Sequence, residues 1–297
     1  MSDSSYEKLN IQWYPGHMTK ARRMIEENIS LVDAVCEVLD ARIPSASGNP
    51  DIRRLSEGKP HLVVLNRCDL ADPSATALWH SHFEASGLAV LETDARSGKG
   101  VNAFLPAVRS ILADKLKAYA EKGQSGRALR IMILGIPNVG KSTLINKIAG
   151  RKAALASDRP GVTRGKQWIS LSDGIDLLDT PGILWPKFES QEVGELLAVT
   201  NAIKTEVFDV ESLAANFMLR LRDLYPAALS ERYKILPSPS ANGYELLEAA
   251  ALKRGFLISR GESDLTRMAT TLLKEYHDGK LGRLTLERPI EMINDKL

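Results

Sequence analysis

Leu129-Arg130-Ile131-Met132-Ile133-Leu134 is an apolar run of strand length, and it feeds directly into Gly135-Ile136-Pro137-Asn138-Val139-Gly140-Lys141-Ser142 and then Thr143-Leu144-Ile145-Asn146-Lys147-Ile148, where the apolar spacing becomes helical. Strand, glycine-bearing loop and helix stand in the order of a phosphate-binding loop, G-x-x-x-x-G-K-S. Backbone N–H groups and the helix N-terminus can cradle phosphates there, Lys141 can reach the terminal ones, and the Ser142 hydroxyl can face magnesium. Asn138, Val139, Gly140, Lys141, Ser142 and Thr143 are therefore assigned to a nucleotide. The alternative, a glycine turn without a ligand, has no need of the flanking strand and helix.

A phosphate loop does not choose between ATP, GTP and small-molecule kinase chemistry. The choice comes from about seventy residues upstream, where His61-Leu62-Val63-Val64-Leu65 reads as a buried strand ending in Asn66-Arg67-Cys68-Asp69, the N-x-x-D pattern. An Asp69 carboxylate can accept from both the ring N–H and the exocyclic amine of guanine. Adenine would leave that charge unpaired, and an unpaired buried carboxylate is costly. Asn66 would tie this loop to the base and to the phosphate loop. Arg67 stands where Lys is usual and can still lie flat on an aromatic face. After a further strand, Leu88–Glu92, the segment Thr93-Asp94-Ala95-Arg96 occupies the place of a second guanine loop, in which Ala95 alone matches the usual Ser-Ala-Lys. A small-molecule kinase has no use for N-x-x-D.

Ile175-Asp176-Leu177-Leu178-Asp179-Thr180-Pro181-Gly182 reads as a strand running into a loop that senses the terminal phosphate. Asp179 would hold magnesium through water, and the Gly182 N–H would meet phosphate. Thr163, in the polar and breaker-rich segment Asp158–Gly165, can complete the magnesium shell; a solvent loop with a chance threonine is the other reading. After Gly182 comes Ile183, where a water-orienting Gln would be expected, so hydrolysis must recruit another group, an ion or a partner. Because the base-reading element precedes the phosphate loop, the motifs together read as a circularly permuted GTP-binding domain. The polar join Glu121–Gly126 would connect the former ends.

Composition bounds the rest. The chain has 297 residues, 44% of them hydrophobic, which suffices for two cores, and no stretch approaches the ~18 apolar residues of a membrane span. Two cysteines, Cys36 and Cys68, are too few for a disulfide framework, and the opening Met1–Ser5 lacks the apolar core of a signal peptide, so a cytoplasmic location is expected. A net charge of +2 means that any RNA contact must use a local patch, for which Gly16–Arg23, the opening of a helix, is a candidate; a solvated basic helix face is the alternative. Helices are expected over 17–30 and near 101–121, with a strand over 32–40. Beyond Trp185 the pattern is helical: a stretch begins at Ser190, and Leu213, Phe217, Leu221 and Leu224 recur up to Pro226. Leu265, Met268, Leu272, Leu273 and Tyr276 repeat the spacing, with Ser263 as cap and Gly279 as stop. His80-Ser81-His82 lacks a third metal ligand and reads as surface. The expected fold class is α/β: a circularly permuted P-loop GTPase domain with a mainly parallel sheet over residues 1–184, and a small all-helical C-terminal domain over 185–297.

Taken together, Ile11-Gln12-Trp13-Tyr14-Pro15-Gly16-His17-Met18, Asp40-Ala41-Arg42-Ile43-Pro44, the permuted motifs and Asp158-Arg159-Pro160-Gly161-Val162-Thr163 resemble the circularly permuted GTPases of the ribosome biogenesis GTPase A (YlqF) type, over almost the whole chain. The resemblance implies a cytoplasmic GTPase, a monomer away from the ribosome, that binds the maturing large ribosomal subunit and its rRNA and is activated by it, and it assigns the rRNA or ribosome contact to the helical domain over 185–297. It implies coupling of GTP hydrolysis to a late maturation step or to release. It also implies His17 as catalytic histidine, Asn138 as the loop Asn of a potassium-stimulated GTPase, and an aliphatic residue at position 183. The residues alone leave other roles open: His17 can cap or pack, and Asn138 can be a turn residue. A nucleotide-regulated RNA-binding module with incidental slow hydrolysis is the rival function.

Overall fold

The computed structural model describes residues 18–124, 126–150, 167–171, 174–184, 190–203 and 208–289. Two compact units account for them: a GTPase unit of residues 18–184 joined by the tail from Glu287, and a helical unit of residues 190–286. The expected helical region over 185–297 thus ends at Leu286.

In the GTPase unit, helix α1 (Met18–Asn28) leads to β1 (Ala34–Asp40), followed by α2 (Pro50–Leu55), β2 (His61–Asn66), α3 (Pro73–Ala85) and β3 (Ala89–Glu92). The expected helix near 101–121 is two, α4 (Phe104–Ile111) and α5 (Ala113–Glu121), because Leu112 leaves the helical region at φ −108° and ψ 15°. Then come β4 (Leu129–Leu134), α6 (Lys141–Ala149), β5 (Gln167–Leu171) and β6 (Ile175–Asp179).

The six strands form one sheet in the order β3-β2-β1-β4-β6-β5, all parallel except the edge strand β5. Counted instead from β4, the strand that enters the phosphate loop, the order becomes 2-3-1-4-5-6, which is one sheet with its chain ends moved. Strands buried on both faces must be apolar throughout. β1 is buried at every residue and apolar except for Glu37 and Asp40, both of which find partners at the site. One face carries Val35, Met132, Leu134 and Leu178 against Ile25 of α1 and Ile52 of α2, and Leu39, Val63 and Leu65 against Trp79 and Phe83 of α3. The opposite face is packed by α4 and α6.

Strand order reverses between the parallel neighbours β1 and β4: the next strands lie outward on opposite sides. Loops at the carboxyl ends of adjacent strands diverge at such a switch point and leave a crevice for a ligand. Here those loops are Asp40–Asn49, Asn66–Asp72 and Gly135–Gly140.

The helical unit comprises α7 (Gln191–Val199), α8 (Val210–Leu224), α9 (Pro226–Tyr233), α10 (Gly243–Lys253) and α11 (Leu265–His277). Its core is α8 against α10 and α11, with Phe217 and Tyr276 edge-on at 5.0 Å between ring centroids. Ser190 caps α7 as expected, accepting from the Val193 N–H. At α11 the cap is Asp264, which accepts from the Arg267 N–H, rather than the neighbouring Ser263. Glu275 is held by Arg232, Arg254 and the Tyr233 hydroxyl; burial opposes ionisation, but these partners hold its carboxyl below the usual range.

Candidate functional site

Asn66 is the hub of the crevice. Its side-chain amide donates to the Val139 carbonyl at 2.8 Å, and its oxygen accepts from the Thr93 hydroxyl and the Ala95 N–H, both at 3.0 Å. One buried side chain thereby joins β2, the phosphate loop and the loop after β3. Gly140 is required by this approach: a Cβ there would collide with the Asn66 amide nitrogen, and its φ of +100° already lies where side chains are strained. Gly135, at φ +147°, would place a Cβ 2.5 Å from the Val38 carbonyl.

Arg67 makes a second bridge. Its guanidinium donates to the Asn138 carbonyl and faces Asp40 at 3.8 Å. Arg67 (φ +64°) and Asn138 (φ +58°) are the only non-glycine residues of the GTPase unit with left-handed backbones among the described residues, and they bond to each other. Strain of that kind persists where the surroundings over-determine it, as in a ligand clamp. Behind them, Arg42 is fully buried and forks onto Asp40 at 2.9 and 2.8 Å. Burial would raise the Asp40 pKa, but Arg42 and Arg67 outweigh it and hold the carboxyl below its ordinary range. In Asp40-Ala41-Arg42-Ile43-Pro44, then, a closed ion pair shapes the loop after β1.

Asp69 stands exposed at the end of its loop. Desolvation and the nearby Asp94 both raise its pKa, so a ligand that donates hydrogen bonds would relieve it. Asp94 accepts from the Arg96 and Ser97 N–H groups, which makes it a turn former. Ala95 is buried with its N–H on Asn66. The Cys68 thiol turns inward and donates to the Leu65 carbonyl; burial pushes its pKa up to about 12. What Cys68 can offer the crevice is backbone.

At the phosphate end, Gly140 precedes α6, with Lys141, Ser142 and Thr143 in its first turn, where unpaired N–H groups and the helix dipole favour an anion. Lys141 folds back, Nζ donating to the Gly135 and Ile136 carbonyls at 2.9 and 2.8 Å, and burial lowers its pKa to about 8 against the pull of Asp179. Asp179 is 1% exposed, and neither carboxylate oxygen has a hydrogen-bond partner. Burial raises its pKa, partly offset by Lys141. A buried carboxylate without a donor, at the carboxyl end of β6, fits a hydrated divalent cation.

The segment after β6 is fixed on the phosphate loop. Thr180 donates to the Ile133 carbonyl at 2.7 Å, the Ile183 N–H donates to the Gly135 carbonyl at 3.1 Å, and a Cβ on Gly182 would come 2.6 Å from the Pro137 backbone. Ile183 itself is 4% exposed and points into the core with Ile25, Ile52 and Leu178. Its carbonyl accepts from Asn49, whose own N–H donates to the buried Glu37 at 3.1 Å. His17 and Thr163 lie outside the described residues. His80 pairs with Glu84 and Glu92 at the surface.

Comparison with known proteins agrees with this geometry. A family model described as "50S ribosome-binding GTPase" matches residues 130–225. Ribosome biogenesis GTPase A of Priestia megaterium is 43% identical over 284 residues, 95% of this chain and 98% of that protein. The Thermotoga maritima protein of that name is 33% identical over 94% of this chain and 95% of its own length. The solved structure of YlqF from T. maritima bound to GNP is similar at a TM-score of 0.63 and 31% identity, covering 91% of this chain and 99% of that one.

Proposed function

The chain belongs to the ribosome biogenesis GTPase A family and is a GTPase of ribosome assembly, and from that premise we propose that it binds the maturing large ribosomal subunit and couples GTP hydrolysis to a late maturation step or to its own release. The observation that carries the nucleotide assignment is the Asn66 hub, which joins a base-reading loop, a second guanine loop and a phosphate loop through one buried amide.

In this reading Asp69 accepts from guanine, Asn66, Arg67, Cys68 and Ala95 frame the base, and Asn138, Val139, Gly140, Lys141, Ser142 and Thr143 hold the phosphates. The Gly182 N–H meets the terminal phosphate. Lys141 exchanges its two carbonyl partners for phosphate oxygens. Asp179, through water, and Ser142 hold magnesium, joined by Thr163 when its segment closes. When bound, that ion neutralises charge building between the β- and γ-phosphates. Asn138 is proposed to bind potassium, a role compatible with its left-handed turn.

With Ile183 in the core, no side chain from that position orients water. Basal hydrolysis is therefore slow, and His17, brought over the phosphates on the ribosome, orients the attacking water. The rRNA contact falls to the helical unit, where Arg267 stacks over Phe256 at 4.2 Å beside the half-exposed Leu257 and Ile258, a surface suited to unstacked bases. No helix among the described residues is long and apolar enough to cross a membrane, compatible with a cytoplasmic protein that is a monomer off the ribosome.

Single-turnover hydrolysis with and without large subunits tests the proposal. Acceleration by the subunit is expected. A rate indifferent to subunits, with retained RNA binding, would leave an RNA-binding module with incidental hydrolysis.

A further inference from the structure

Glu287 follows the helical unit in the chain but belongs to the GTPase unit. Its carboxylate accepts the Ser45 N–H at 2.8 Å and the Ala46 N–H at 3.0 and 3.1 Å, adjacent donors in the loop between β1 and α2. Its carbonyl accepts from the Trp79 indole of α3 at 3.3 Å. Arg288 then pairs with Asp72 at 3.0 Å. The other oxygen of Asp72 caps α3, taking the Ser74 and Ala75 N–H groups at 2.9 and 3.4 Å. Asp72 lies three residues beyond Asp69.

Two consecutive residues thus grip two of the loops that line the crevice, 40–49 and 66–72. Arg67 facing Asp40 is the first bracket between those loops; Glu287 and Arg288 add a second. Loops without a backbone ladder take their spacing from such side-chain contacts, and those to an ionised group are among the stronger ones. We propose that Glu287 and Arg288 are positioning residues for guanine recognition, which clamp the two loops so that Asp69 is presented to the base. This rests on the reading of Asp69 as the base-reading carboxylate. A loosened clamp should cost the contact with the exocyclic amine first and leave phosphate binding intact.

The test compares GDP with IDP, which lacks that amine, by equilibrium titration of the full-length protein, with thermal melts monitored by circular dichroism. Glu287→Ala should weaken GDP binding about tenfold, ~1.4 kcal/mol, and IDP binding by less than about twofold, shrinking the preference for GDP. Glu287→Gln keeps an acceptor and should recover part of it. Arg288→Ala, which removes only a half-buried pair, should shift the ratio in the same direction and serves if Glu287→Ala does not fold. A GDP-to-IDP ratio unchanged in the variants, or both affinities falling in step with melting temperature, overturns the clamp. A wild-type protein that does not prefer GDP to IDP would instead sink the Asp69 reading on which it stands.

Discussion

Replacing Ile183 with glutamine, the residue expected there in a self-sufficient GTPase, should damage the protein rather than repair it. The side chain is 4% exposed among Ile25, Val35, Ile52, Met132, Leu134 and Leu178. Its backbone is pinned by the N–H to Gly135 at 3.1 Å and by the carbonyl to Asn49 at 3.4 Å, so the side chain cannot turn out without breaking both. Withdrawing a buried isoleucine forfeits ~1.5–3 kcal/mol. An amide buried without partners adds ~1–3 kcal/mol. The sum, ~2.5–6 kcal/mol, is a large share of the ~5–15 kcal/mol that holds a typical domain folded. Urea unfolding followed by tryptophan fluorescence should show a midpoint lower by roughly 1–3 M, and single-turnover hydrolysis under native conditions should be no faster than wild type. Hydrolysis accelerated about tenfold or more at an unchanged midpoint would refute the reasoning, because the side chain would then reach the phosphates at no cost to the core.

Asp69→Asn exchanges an acceptor pair for a carbonyl and an amine, so xanthine nucleotides should gain on GTP in competition binding; unchanged discrimination would remove Asp69 from the base site. Lys141, with its pKa lowered to about 8 by burial, should take up a proton when phosphates replace that burial cost. Calorimetry at pH 8.5 in buffers of different ionisation enthalpy should detect the uptake, and Lys141→Ala should abolish it. In the nucleotide-free protein the same group remains protonated in the unfolded chain up to its ordinary 10.5, so its contribution to stability should rise between pH 8 and 10.5. Gly140→Ala sets a Cβ against Asn66 at a φ of +100°, and should lower GTP affinity at least about tenfold; an affinity near wild type would mean that the loop relaxes freely.

The parallel strands were legible because burial on both faces leaves uninterrupted apolar runs, and the phosphate and guanine loops because their chemistry fixes residue types at fixed spacing. β5 was not, being a short edge strand with only Ile169 buried. α2 spans six residues and offers no periodicity. α3 is marked in the sequence only at its start, by Asp72 as cap followed by Pro73. In the site, Asn66 and Arg67 stand in a recognisable pattern, whereas the Arg42–Asp40 pair was visible only as a family marker. Glu287 meets its partners from more than 200 positions away and Thr93 bonds to Asn66 across a strand; long-range contacts of this kind leave no local trace. Thiol direction is equally silent in sequence: the partly buried Cys68 thiol turns to the Leu65 carbonyl and leaves its backbone to the crevice.

The register that sets Ala34 beside Ile131 has a consequence for how the protein is made. Synthesis completes β1, β2 and β3 while β4 is still to come, so the inner edge of β1 stands open for the ~90 residues separating Asp40 from Leu129, roughly 5–20 s of translation. An open, apolar strand edge is a template for wrong partners. The strands that carry the Asn66 and Thr93 loops are made first and wait; the phosphate loop arrives later and closes the sheet, and Glu287 and Arg288 reach their partners last of all. Nucleotide can engage only once these parts meet, and at a hundred times its dissociation constant it would stabilise the joined state by ~2.7 kcal/mol. GTP is in that sense the last staple in the assembly of the protein that consumes it.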